Sequence, residues 1–145
     1  TEVNLPDLQA ALGEDWDRLF EETMGEFAMG LYLDEVLAGE TAWAAAEGWD
    51  GDRLVAWEDR DDRRLWVWRS IWDDNREARA FEQAAVAGIP QRYLGAAPLD
   101  APLDRPGQWW AVADGVAYVG RVGRYVVLAC GPDVDTLAAA IEVVP

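Results

Sequence analysis

The spacing of apolar positions changes several times along the chain, and each change marks a predicted element. Residues 1–13 form a lead-in with Pro6 and Gly13. Trp16, Arg18 and Phe20 then fall on alternate positions and fit a short strand over Trp16–Glu21. Thr23-Met24-Gly25-Glu26 matches a capping box, in which the Thr hydroxyl accepts a backbone N–H and the Glu carboxylate reaches back. Phe27, Leu31, Leu33, Val36 and Leu37 follow near helical spacing until Gly39. The alternative is one helix from Glu14 to Ala38, weakened by Gly25 and Gly30 by about 1 kcal/mol each relative to Ala. TAWAAAEG reads as a short Ala-rich helix stopped by Gly48.

DRLVAWEDRDDRRLWVWRSIW carries the clearest signal: two β-rich runs around the polar turn Arg60-Asp61-Asp62-Arg63. With Asp61 and Asp62 as the two central turn residues, Trp57 faces Trp66, Val55 faces Trp68 and Asp59 faces Arg64. Val55, Trp57, Trp66, Trp68 and Trp72 then share one face, and Leu54, Ala56, Leu65, Val67 and Ile71 the other. Cross-strand aromatic and Asp–Arg pairs favour this register, and a slip of one residue would scatter both sets.

Asp74-Asn75-Arg76-Glu77 is a second capping box and opens a helix over about 75–87, with Gly88 and Pro90 as its end. Pro90, Pro98, Pro102 and Pro106 make residues 88–107 a surface connection, long enough to suggest function or mobility. Trp109–Ala113 and Val116–Val122 flank Asp114-Gly115, a type I′ hairpin signal. Arg124–Ala129 is a further strand, and Gly131-Pro132-Asp133 starts a closing helix through about Ile141. The expected fold is a single α+β domain over residues 1–145. A mainly antiparallel sheet of five or six strands is packed by helices in the order β-α-α-β-β-α-β-β-β-α, its first strand depending on the split at Thr23. Residues 52–87 and 116–141 share a hairpin-then-helix rhythm, as a weak internal duplication would produce.

Composition narrows the chemistry. Lys plus Arg is 12, Asp plus Glu is 28, and the formal charge is −16 with no His; every cation is Arg. Such a field repels phosphates, so nucleic acid is excluded as a partner and anionic membrane surfaces are disfavoured. It keeps a protein soluble and attracts cations. No apolar run reaches the about 18 residues of a membrane span. The chain opens TEVNLPDL, with neither initiator Met nor signal peptide, and reads as a processed chain or an excised domain. The lone Cys130 forms no internal disulfide, so the compartment is open.

Without His or Lys there is no ordinary base for a Ser or Cys nucleophile. Ser70 lies inside a predicted strand and reads as structural. Cys130 precedes a helix start, where it is either a thiol activated by the helix dipole or a small buried residue at a strand end. Zinc and most transition metals want His or Cys. Asp50-Gly51-Asp52 and Asp59-Asp61-Asp62 fail the calcium-loop template. No phosphate loop is present, and no cofactor is expected. Carboxylates alone remain, which leaves a glycan-hydrolysing pair open.

The nine Trp are the sharper feature. On a sheet face they either stack against sugars or anchor a partner, or lie under a helix as core. Core is favoured for Trp66 and Trp68 and less firmly for Trp57, which lies nearer the turn. Trp43, Trp49 and the 109–110 pair could fill the same layer. The expected function is a non-catalytic accessory or protein-interaction domain, not an enzyme, with Trp49, Asp50, Arg53 and Trp57 as the candidate interaction surface. The partner would be another protein or the rest of its own polypeptide. The alternative is a carboxylate-only domain that binds or cleaves glycans by Trp stacking.

Gly48-Trp49-Asp50-Gly51-Asp52-Arg53, Gly25-Glu26-Phe27 and Trp72-Asp73 carry a resemblance over about residues 5–87. They resemble the C-terminal region of a bacterial family with a GWGGDR-type motif, Asp50 standing where the second Gly is usual. In that family the segment follows a zinc-peptidase-like part with a helical HExxH motif, often in exported or lipid-anchored proteins. The resemblance implies an accessory domain of an exported or cell-surface bacterial protein. The metal motif is absent from this chain, so no catalytic residue carries over.

Overall fold

The computed structural model describes residues 1–145. The elements are α1 (Gln9–Leu12), β1 (Trp16–Glu22), α2 (Glu26–Asp34), α3 (Gly39–Ala46), β2 (Trp49–Asp59), β3 (Arg64–Trp72), α4 (Asn75–Arg92), β4 (Ala97–Leu99), β5 (Gln108–Val112), β6 (Gly115–Val122), β7 (Tyr125–Gly131) and α5 (Val134–Glu142). The strands form one antiparallel sheet in the order β1-β2-β3-β7-β6-β5-β4.

The sheet has seven strands rather than the five or six expected. The extra one is β4, inside the Pro-rich connection, where Ala97-Pro98-Leu99 pairs with Trp109–Ala111. Pro98 is tolerated there because β4 is an outermost strand. The lead-in is also structured: α1 forms one turn, and Val3 and Leu8 enter the core.

Both sheet faces are covered. α2, α3 and α4 pack on one around Met29, Leu33, Phe81, Trp68 and Trp72, and Trp72 stacks on Phe81 at 4.4 Å between ring centres. α1, α5 and the lead-in pack on the other around Leu8, Trp16, Trp57, Leu137 and Ile141. The 109–110 pair divides between them, Trp109 facing α5 and Trp110 facing α4.

The β2–β3 register differs from expectation by one residue. Asp59 N–H donates to the Arg63 carbonyl at 2.9 Å, and Asp62 adopts φ 61°. The turn therefore has three residues, 60–62, with the last left-handed. This places Trp57 opposite Leu65, Ala56 opposite Trp66, Leu54 opposite Trp68 and Glu58 opposite Arg64. Because side chains alternate, Trp57 joins Val55, Leu65 and Val67 on the α5 side, while Trp66, Trp68 and Trp72 face α2 and α4.

Other boundaries move for local reasons. α4 passes Gly88 and Pro90 and ends at Arg92; its last turn is closed by the Tyr93 N–H on the Ile89 carbonyl at 2.9 Å. Asp74 does cap α4, accepting from the Glu77 N–H at 2.8 Å, and Asp133 caps α5 from Thr136 at the same distance. Thr23 makes no cap. Gly25 occupies that position with φ 93°, and the Met24 and Gly25 N–H groups turn to Asp52 instead. Gly39 begins α3 rather than ending α2. The β5–β6 loop is Ala113-Asp114, neither left-handed, so a type I′ turn does not form.

Candidate functional site

One cross-strand row on the α2–α4 face builds the site. Phe20 of β1 pairs with Ala56 of β2, Ala56 with Trp66 of β3, and Trp66 with Cys130 of β7. Large and small side chains alternate along this row, so the two small residues leave hollows on either side of the Trp66 ring. The hollow over Ala56 has a volume of about 370 Å³ and walls from Leu19, Phe20, Tyr32, Leu54, Trp66 and Trp68. The one over Cys130 measures about 670 Å³ and runs under Tyr93 and Leu94 toward Val112–Val116. Trp66 is half-buried between them, and Arg64 borders both.

Tyr32 of α2 forms the partition from the helical core. Its ring meets Trp68 edge-on at 5.6 Å, and the Arg92 guanidinium lies 3.8 Å above it. Arg92 is held by Glu35 at 2.7 Å and also donates to the Tyr32 carbonyl. At the mouth, Arg64 pairs with Glu58 at 2.9 Å. Both arginines at the site are thus matched by a glutamate.

The phenol and thiol groups on the walls are held in their neutral forms. Burial pushes the Tyr32 phenol up to about 12 against the opposing charge of Arg92. Burial likewise raises the Cys130 thiol to about 11, although a hydrogen bond with Tyr93 at 3.2 Å and the Arg92 charge pull the other way. Tyr93 is raised as well, chiefly by burial. Cys130 is therefore a protonated, half-buried thiol and not a dipole-activated nucleophile. The hollow over Ala56 presents shape and aromatic surface.

Residues 14–141 match a family described as Domain of unknown function (DUF8575). The chain belongs to that family. No curated protein matches it. Among solved structures, the DUF8575 chain is similar to the extracellular domain of PknH from Mycobacterium tuberculosis, with a TM-score of 0.58 and 11% identity over 97% of this chain and 89% of that one. At that identity the likeness is one of fold.

The residues singled out from the sequence of this DUF8575 chain fall elsewhere. Trp49 is half-buried, its Nε1 donating to Asp52 at 3.1 Å. Asp50 accepts from the Thr1 hydroxyl at 2.5 Å and from Arg124 at 3.3 Å. Arg53 pairs with Glu21 at 3.3 Å and lines a small polar hollow that neither Trp49 nor Asp50 reaches. Trp57 does not join them: it is 2% exposed and faces α5. No group of three or more Asp, Glu or Cys side chains gathers where it could hold a metal. The two buried carboxylates are occupied by structural donors: Asp52 by backbone and indole N–H groups, Asp59 by Asp61 and Arg63. Phe20, Tyr32, Ala56 and Tyr93 were not legible as site residues. Their one signal is a small residue opposite an aromatic, and it appears only in the true register.

Proposed function

We propose that this domain is a non-catalytic binding module of a larger, exported bacterial protein, holding an uncharged apolar small molecule against Trp66 in the hollow over Ala56. The observation that carries this is the Phe20–Ala56–Trp66–Cys130 row, which leaves an aromatic-walled space on an otherwise covered face. Its volume lies within the about 300–1,000 Å³ of small-molecule sites, and its walls are apolar as such sites are. The fold shared with an extracellular domain supports placement outside the cytoplasm. The resemblance of the GWGGDR-type segment supports an accessory role beside a zinc-peptidase-like part, and an HExxH segment upstream in the reading frame is expected on that reading.

The test is titration with the uncharged probe N-phenyl-1-naphthylamine, followed by probe emission and Trp quenching. Ala56→Phe fills the hollow from its floor and should weaken binding at least about tenfold, the equivalent of one lost favourable contact of about 1.4 kcal/mol. A variant that folds and binds the probe like the wild type would overturn the assignment.

A further inference from the structure

Of the nine large apolar side chains that stand exposed, six lie between Leu19 and Trp43. Single exposed apolar side chains are ordinary, whereas a contiguous group marks a contact surface. Three of the six form one surface across α2 and α3. Phe27 and Leu31 stand one turn apart on α2, 69% and 43% exposed. Trp43 of α3 is 37% exposed and lies against Phe27, with ring centres 5.5 Å apart. The six-membered ring of its indole is seated on Gly30, where a side chain would have no room. Backbone beneath it and Phe27 beside it hold the indole in place while part of it meets solvent.

The surroundings of this surface carry one sign of charge. Residues 19–47 hold seven acidic side chains and no cation. Glu40 lies three positions before Trp43 and Glu47 four positions after it, so the three share a side of α3. Asp34 approaches the same indole from the last position of α2. A Cβ on Gly39 would meet both, Asp34 Oδ1 at 3.0 Å and Trp43 Cδ1 at 4.0 Å. All three carboxylates are exposed, and none has a cation within salt-bridge distance. Burial of the apolar centre favours a partner, and the unmatched acidic rim selects its sign. A second copy docked by the same patch would set these carboxylates against their own kind, and anionic lipid would be repelled likewise.

We propose that Phe27, Leu31 and Trp43 form a docking surface for a cationic amphipathic peptide segment of a partner protein. Its apolar side chains cover the aromatic pair, and its Lys or Arg side chains meet Asp34, Glu40 and Glu47. None of the three apolar residues lines the hollow over Ala56, so this proposal and the small-molecule reading stand or fall separately.

The test is fluorescence anisotropy of a labelled synthetic amphipathic helix of leucine and lysine, titrated with the full chain. The wild type should bind it saturably, at least about tenfold more tightly than a peptide of equal charge with serine in place of leucine. Phe27→Gln with Leu31→Gln leaves the charge unchanged and should melt near the wild type, both side chains being exposed. It should weaken binding at least about tenfold. Glu40→Gln with Glu47→Gln should weaken binding more than Asp135→Asn with Glu142→Gln, which removes the same charge from α5 on the opposite sheet face. Wild-type affinity in the folded Phe27→Gln, Leu31→Gln protein overturns the proposal, as does equal binding of the serine peptide by the wild type. Equal weakening by the two pairs of charge substitutions also overturns it, since that is the effect of net charge alone. A wild-type dimer in sedimentation that Phe27→Gln with Leu31→Gln abolishes gives the surface to a second copy, and flotation of the wild type alone with phosphatidylcholine vesicles gives it to lipid; either result overturns the peptide assignment.

Discussion

A single buried carboxylate ties four parts of the α2–α4 face together. Asp52 is 2% exposed and accepts from the Met24 and Gly25 N–H groups, both at 2.8 Å, from Trp68 Nε1 at 2.9 Å and from Trp49 Nε1 at 3.1 Å. It thereby supplies the acceptors that Thr23 was expected to provide at the start of α2, and it orients the Trp68 ring beside the hollow. Asp52→Asn points a donor at donors. It should cost about 2–4 kcal/mol, read as a lower urea midpoint with unchanged slope. The Trp residues should divide by their actual burial. Trp57→Ala and Trp68→Ala should each cost about 3–5 kcal/mol, and Trp66→Ala less, about 1–2 kcal/mol, because Trp66 already borders open space. Trp57 also carries an Nε1 that is buried without an acceptor. Trp57→Phe removes that orphan donor and should cost under about 1.5 kcal/mol, far less than Trp57→Ala.

Among the elements, the β2–β3 turn decides most. Burial alone would raise the Asp59 carboxyl. Hydrogen bonds from the Arg63 N–H at 2.9 Å, the Arg63 guanidinium at 2.7 Å and the Asp61 N–H at 3.0 Å outweigh it and hold the carboxyl below its ordinary value. The sign follows: the ionised form is favoured by folding, so this stabilisation is present above the unfolded pKa of about 3.9 and is lost as pH falls through the lower folded value. Melts of wild type and Asp59→Asn should therefore differ at pH 6 and converge as pH falls through that lower folded value. A second element-level test concerns α2 and α3. A Cβ on Gly30 would lie 2.1 Å from Trp43 Cζ3. Gly30→Ala should lower the melting temperature even though Ala is the better helix former by about 1 kcal/mol. The turn also explains what the sequence showed and what it hid. Alternation located β2 and β3, and the Asp74 box located α4, because each is set by neighbours in sequence. The register was hidden because Asp62 takes a left-handed φ that nothing in a run of Arg and Asp requires. That one extra loop residue moved Trp57 to the far face and brought Ala56 beside Trp66. The candidate site, whose floor is drawn from β1, β2, β3 and β7, was illegible for the same reason.

For the whole molecule, charge and edges matter together. The sheet is open at β1 and β4. On β1, Leu19 is 48% and Phe20 41% exposed, interleaved with Asp17, Glu21 and Glu22. Charged side chains on an outer strand discourage edge-to-edge pairing. Double substitution Asp17→Asn with Glu22→Gln should raise light scattering at matched concentration without lowering the melting temperature. The net charge of −16 also repels itself. Added sodium chloride, from 0.02 to 0.3 M, should raise the melting temperature by a few degrees as the Debye length shrinks from over 20 Å to under 10 Å, an effect of order 1 kcal/mol.

The pairing of β3 with β7 at the middle of the sheet has a consequence for synthesis. Trp66–Ile71 meets Tyr125–Cys130, so the centre of the molecule joins segments made far apart in time. Until residue 131 has been polymerised, β3 presents an unsealed edge on a hairpin rich in tryptophan. Contacts of this range slow folding, and exposed strand edges invite wrong partners meanwhile. The emerging polypeptide is therefore most in need of a chaperone while residues 73–124 are being added. Slowing translation over that interval should reduce the soluble yield, whereas slowing it before residue 60 should not.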